Sequence, residues 1–157
     1  MTFTDAYERT IDAKSRLQIP SQIRDTMESA DRPLVFYLVP GARPGTLSLY
    51  PEDEFEAAAK HMDSEPIPDE SALTFQQLFY SMASRLEADK QGRVVLPERT
   101  LQRAEIQHEV MLTGVGNHLD LWNRTVYDQF VEQNWGRWAE VQRQARAASR
   151  KKQVENE

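Results

Sequence analysis

Cysteine is missing from all 157 residues. That absence excludes a disulfide framework and thiolate chemistry, and it suits a reducing compartment. Long apolar runs are missing too. None approaches the roughly 20 residues that a membrane helix needs, and the opening MTFTDAYERT lacks the apolar stretch of a secretory signal. Histidine is scarce: His61, His108 and His118 stand apart, with no metal-ligand spacing. They read as surface or loop residues. There is no Walker loop, no G-x-G-x-x-G and no nucleophile elbow. The sequence therefore points away from an enzyme, a cofactor, a metal site, a small-molecule substrate and a membrane, and toward the cytoplasm.

What is present is ordinary in bulk and uneven in detail. Hydrophobic residues make up 39% and charged residues 28%, which fits a soluble chain with a modest core. The length suits one compact domain or two small ones. The net charge is −6, which alone argues against a nucleic-acid binder. The acids, however, crowd into PEDEFE (51–56) and DSEPIPDE (63–70). The bases gather elsewhere, at Lys14, Arg16 and Arg24, at Arg85, Lys90, Arg93, Arg99 and Arg103, and in RQARAASRKK (143–152). Local potential, not the total, steers a polyanion.

The chain writes Asp-x-x-x-Arg-x-x-x-Pro twice, as IDAKSRLQIP (11–20) and ADKQGRVVLP (88–97), 77 positions apart. Alignment of Asp12 with Asp89 pairs Arg16 with Arg93, Leu17 with Val94, Ile19 with Leu96 and Pro20 with Pro97. The likeness continues from LVFYLVPGARPGTLSLYPEDEF (34–55) to EVMLTGVGNHLDLWNRTVYDQF (109–130). Such internal similarity marks a repeat architecture.

Each half reads as a strand, a tight turn at DAKS or DKQG, a second strand, a short helix and a hairpin. Asp12 and Asp89 can accept a bond from a backbone N–H two residues on. Gly92 supplies the positive φ that such a turn needs, and Ser15 stands in its place in the first copy. After each turn the pattern alternates: Arg16 out, Leu17 in, Gln18 out, Ile19 in, then Arg93 out, Val94 in, Val95 out, Leu96 in. That is the period of a half-buried strand. Pro20 and Pro97 end those strands and suit a helix start. The hairpins pair 34–39 with 46–50 and 109–113 with 118–122. Pro51 and the acids after it open a helix, and Asn123 is a candidate N-cap. A further helix carries Phe75, Leu78, Phe79 and Met82 on one face, and the tail from Tyr127 to Lys152 reads as helix.

Halves of about 45 residues are each too small for a good core. They are expected to fuse about a pseudo-two-fold axis into one mostly β domain with flanking helices, of α+β class, whose strands close into a barrel.

On these residues the chain resembles the MraZ family, which is built from two tandem SpoVT-AbrB (swapped-hairpin) modules. The resemblance runs over roughly residues 5–130. It rests on the doubled DAKSR and DKQGR, the paired prolines, and LSLYP in register with LDLWN. It implies module 1 at 6–53, linker helices at 54–82, module 2 at 83–126 and a C-terminal helix with a basic tail at 127–157. It also implies a cytoplasmic, nucleoid-associated bacterial protein that forms an octamer-like ring. Such a ring binds repeated boxes in double-stranded DNA upstream of the division and cell wall gene cluster, generally as a repressor. The family ties its Asp-x-x-x-Arg motif to DNA binding, a role that carries over to Asp12 and Arg16 and to Asp89 and Arg93.

Bland readings stand beside these. Each Asp–Arg pair could be only a brace for its turn, and Lys14 and Lys90 could be solvated side chains rather than phosphate contacts. Two other functions remain open: an antitoxin-like regulator of the same fold, and a ring-forming scaffold without DNA contact.

Overall fold

The computed structural model describes residues 1–27, 32–62 and 69–157. Residues 63–68, which hold most of the second acidic run and the middle of the expected linker, lie outside the described residues. The chain divides into two compact units, Met1–Arg124 and Thr125–Glu157.

In the first unit, β1 (Ala6–Thr10), β2 (Arg16–Gln18) and α1 (Ser21–Met27) lead to the hairpin of β3 (Val35–Pro40) and β4 (Thr46–Pro51). Then come α2 (Glu52–Met62) and α3 (Glu70–Met82). The motif repeats as β5 (Ser84–Glu87), β6 (Arg93–Val95), α4 (Glu98–Arg103), β7 (Glu109–Gly114) and β8 (Leu119–Asn123). The hairpins fall where the alternation places them. The acids Glu52, Asp53 and Glu54 occupy the first turn of α2, where they favour the helix dipole. Asp69 caps α3 by accepting from the Ala72 N–H at 2.7 Å.

The halves interlock rather than stack. The six-stranded sheet runs β1-β7-β8-β4-β3-β5, all antiparallel, so each half's first strand pairs with the other half's hairpin. The two hairpins join through β4 and β8, where Ser48 faces Asp120. A separate ribbon pairs β2 with β6. Leu17, Ile19, Val94 and Leu96 point from this ribbon into the core and meet Phe36, Leu38, Leu47, Leu49, Leu112 and Leu121 of the sheet.

The expected barrel does not close. Among the described residues, β1 and β5 are open edges of the sheet, and β2 and β6 pair as strands only with each other. The cause is local. The ribbon strands are three residues long. Pro20 and Pro97, which lack an N–H, follow two residues later and end the ladder.

Two further features go beyond the sequence reading. The aromatic face of α3 is not buried. Tyr37, Phe55, Phe79 and Phe75 stack in a ladder with successive centroids 4.1, 5.6 and 5.6 Å apart, yet Phe75 and Leu78 stay more than half exposed. In the second unit the tail is two helices, α5 (Arg124–Trp135) and α6 (Trp138–Glu155), separated at Gly136 and Arg137. Among the described residues, no helix is long and apolar enough to cross a membrane.

Candidate nucleic-acid interface

The two Asp-x-x-x-Arg stretches fold into the same turn. The Ser15 N–H donates to the Asp12 carbonyl at 3.0 Å, and the Asp12 N–H to the Arg16 carbonyl at 3.1 Å. In the second copy Gly92 donates to Asp89 at 2.9 Å, and Asp89 to Arg93 at 2.8 Å. The fourth turn residue is left-handed in both, with φ of 59° at Ser15 and 79° at Gly92. Ser15 therefore does not change the turn type; it carries the strain of a side chain in a region that favours glycine.

The carboxylates hold these turns from inside. Asp12 Oδ1 accepts the N–H groups of Lys14 and Arg16, both at 2.9 Å, and Oδ2 accepts Arg16 Nε at 2.7 Å. Asp89 repeats the arrangement with Gln91 at 2.9 Å, Arg93 N–H at 3.0 Å and Arg93 Nε at 2.9 Å. Both carboxyls are held below the usual carboxylate value, first by the backbone N–H of the arginine and then by its side chain and the other turn N–H. Desolvation opposes the shift in each.

The arginines point outward, as the alternation requires. Each side chain is 28% exposed. Only Nε of each is engaged, so the Nη donors of both forks have no hydrogen-bond partner among the described residues. Arg16 lies opposite Val95, and Arg93 opposite Gln18. The two arginines are thus diagonal neighbours on one ribbon face, roughly 7–8 Å apart at the backbone. Two outward forks on a two-stranded ribbon match the dimensions of a DNA major groove, where Arg can bond guanine O6 and N7 or a phosphate.

Lys14 and Lys90 are exposed at the turn tips. They are not equivalent: Lys14 sits at the turn position that Gln91 fills in the second copy, and Lys90 at that of Ala13. The cations therefore differ in placement between the turns.

Two residues of this region make contacts that the sequence reading did not give. Gln18 lies on the outward face, and its Nε2 donates to the Gln91 carbonyl at 2.7 Å, tying the ribbon to the second turn. Arg24, grouped by sequence with Lys14 and Arg16, instead lies against the other turn. A Cβ on Gly92 would fall 2.5 Å from Arg24 Cδ. The Arg24 Nε is buried without a partner. The first half's α1 thus backs the second turn. Leu101 of α4 correspondingly lines a cleft with Asp12, Ala13 and Ser15 of the first turn. Only the interlocking of the halves produces this exchange.

His118 lies in the loop between β7 and β8, as read, and has neighbours there. It stacks on Tyr50 at 4.6 Å, and its Nε2 lies 3.3 Å from Asp120 Oδ1. Burial, with the Asp120 charge second, raises the Tyr50 hydroxyl above its ordinary value. Ser48 Oγ donates to the same Asp120 oxygen at 2.7 Å. The carboxylate sits between serine and histidine, so the histidine is not the serine's hydrogen-bond partner, and the Ser-His-Asp order is not met. Among the described residues no group of His, Asp and Glu could hold a metal ion.

Comparison with known proteins places this geometry. A transcriptional regulator MraZ of Mycoplasmopsis pulmonis is 36% identical over 126 residues, which cover 80% of this chain and 82% of that protein. The chain belongs to the MraZ family. A family model for the MraZ protein, described as antitoxin-like, matches residues 79–151. Two further MraZ proteins named as transcriptional regulators are similar to the chain. The one from Pediococcus pentosaceus is 29% identical, over 83% of this chain and 87% of its own length. The one from Heliobacterium modesticaldum is 27% identical, over 88% and 93%. These MraZ relatives are named as regulators and not as enzymes.

Proposed function

We propose that this chain is a sequence-specific, double-stranded-DNA-binding transcriptional regulator whose reading surface is the outward face of the β2–β6 ribbon. One observation carries the reading: the two Asp–Arg braces lie on one face, each leaving its guanidinium fork free. In this view Asp12, Asp89 and Gly92 shape the turns. Arg16 and Arg93 read base edges, while Lys14 and Lys90 meet phosphates. The brace then does not compete with recognition; it orders the fork beforehand, which reduces the entropy lost on binding.

The finer parts of the proposal follow the family. The modules span 6–53 and 83–126, joined by the 54–82 linker and followed by the helical tail 127–157. The protein works at the nucleoid in the cytoplasm, as an octamer-like ring on repeated boxes upstream of the division and cell wall gene cluster, where it represses. A ring answers the affinity problem of an acidic protein that meets few phosphates. It offers several ribbons at once, and linked binding events raise avidity by roughly 10²–10⁴. The apolar side chains that α3 leaves exposed, Leu73, Phe75 and Leu78, support self-association.

The test is fluorescence anisotropy with duplexes recovered by unbiased selection, for the wild type and for Arg16→Ala with Arg93→Ala. Removal of each arginine–base pairing is expected to weaken binding about 5–150-fold, with the assembly's mass unchanged by light scattering. Unchanged affinity would favour the second reading, a scaffold without DNA contact, which the net charge of −6 and the exposed α3 face support.

A further inference from the structure

The ribbon accounts for two arginines and two lysines, but the densest positive stretch of the chain lies elsewhere. Between Arg143 and Lys152, α6 carries five cations and no acid. Every residue of that helix except Val141 is exposed. At 100° per residue, Arg143, Arg146 and Arg150 fall within a narrow arc, and Lys151 extends it. The three arginines span about 10 Å along the helix, the rise of about three phosphates on one DNA strand.

The opposite face says what this helix does not do. It carries Trp138, Val141, Ala145 and Ala148, with Lys152 among them. An interfacial membrane helix needs a broad apolar face of large side chains, and alanines do not supply one. Acidic patches of a second copy are a poorer match than a nucleic acid. At the start of α2, Glu52 already lies 3.6 Å from Arg85, and Glu54 accepts from Asn117 at 3.3 Å. A phosphate backbone is a continuous, uncompensated row of charge. A row of arginines has the matching donors.

We propose that α6 is a cationic arm that grips the phosphate backbone of double-stranded nucleic acid, adding sequence-independent affinity to the ribbon's sequence-dependent binding. This rests on the DNA-binding reading above, and the two can fail separately. The arm explains how a chain of net charge −6 approaches a polyanion: the field that matters is local, and this stretch supplies it.

The experiment uses the full chain as wild type, as Arg143→Gln/Arg146→Gln/Arg150→Gln, and as Arg16→Ala/Arg93→Ala. Binding to a selected duplex and to a scrambled duplex of equal length is measured across a salt series. Each phosphate that the protein ceases to neutralise reduces the slope of log K against log salt by about 0.9. The triple variant is therefore expected to show a slope smaller by roughly 2.7 on both duplexes, with the preference for the selected duplex intact. The ribbon variant is expected to lose the preference and keep most of the slope. An unchanged slope in the triple variant overturns the arm and leaves the ribbon reading standing. Equal wild-type binding to both duplexes, with a reduced slope in the triple variant, supports the arm and sinks the ribbon's specificity. No wild-type binding at low salt overturns both. A changed mass by light scattering with an unchanged slope assigns α6 to contact between copies and overturns the arm. Sedimentation with phosphatidylglycerol vesicles, abolished in the triple variant while DNA binding is unaffected, assigns it to a membrane and overturns it equally.

Discussion

Leu17 of β2 lies directly opposite Val94 of β6, and neither side chain is exposed at all. This pair is the underside of the candidate interface: the residues flanking it on each strand are those that face out. The core therefore fixes the direction of Arg16 and Arg93, since a shift of one residue would turn every side chain of the ribbon over.

Replacement of Leu17 by Ala is expected to cost about 2–5 kcal/mol of folding stability, the usual range for a fully buried leucine. Val94→Ala removes less volume and should cost less. Chemical denaturation with an unchanged m-value is the check. A cost below ~1 kcal/mol for Leu17→Ala would mean that the ribbon is not packed on the sheet.

Both turns should favour glycine at the left-handed position. Ser15→Gly relieves a left-handed serine and is expected to stabilise by about 1 kcal/mol, offset in part by greater freedom of the unfolded chain. Gly92→Ala places a Cβ at positive φ and against Arg24, and is expected to destabilise by about 1–2 kcal/mol. In an Arg24→Ala background the Gly92→Ala cost should shrink, because the side chain in the way is gone. A double-mutant cycle measures that coupling, and strict additivity would contradict the close approach of Arg24 to this turn.

Acid should loosen the turns before it unfolds the core. Asp12 and Asp89 titrate below the usual 3.8 in the folded chain. Their contribution is therefore complete above the unfolded carboxylate value and is lost as pH falls through the lowered folded values. Carboxyl carbon shifts followed by NMR should give midpoints below 3.8 for both residues. The Arg16 and Arg93 amide signals should move with them. Midpoints at or above the ordinary value would mean that the carboxylates do not hold the turns in solution.

The exposed α3 ladder makes a separate prediction. Phe75→Ser with Leu78→Ser is expected to lower the mass of the assembly seen by light scattering while leaving the thermal midpoint of the fold nearly unchanged, since both side chains are already more than half exposed. An unchanged mass would place the contact between copies on another surface.

The aspartates and arginines of the repeat were legible because turn chemistry is local. Asp12 meets Lys14 and Arg16 within four residues, and the left-handed position falls where Gly92 announces it. The outward direction of Arg16 and Arg93 was legible for a similar reason, since strict alternation has one solution once Leu17 and Val94 are buried. The contacts of Gln18 and His118 were not legible. Their distant partners are defined by strand pairing: Gln18 meets Gln91 across 73 positions, and His118 stacks on Tyr50 where β4 runs beside β8.

The sequence by itself thus determined the repeat, the turn type, the hairpins and the in-and-out pattern of the ribbon. These depend on backbone sterics, hydrogen bonds within four residues and a period of two. Tertiary structure alone decided that β1 joins β7 and β5 joins β3, that Arg24 lies on the turn of the other half, that the sheet stays open, and that the aromatics of α3 remain exposed. Each of those outcomes depends on which distant surface is available to pack against, and a periodic pattern states that a face is apolar without stating what will cover it.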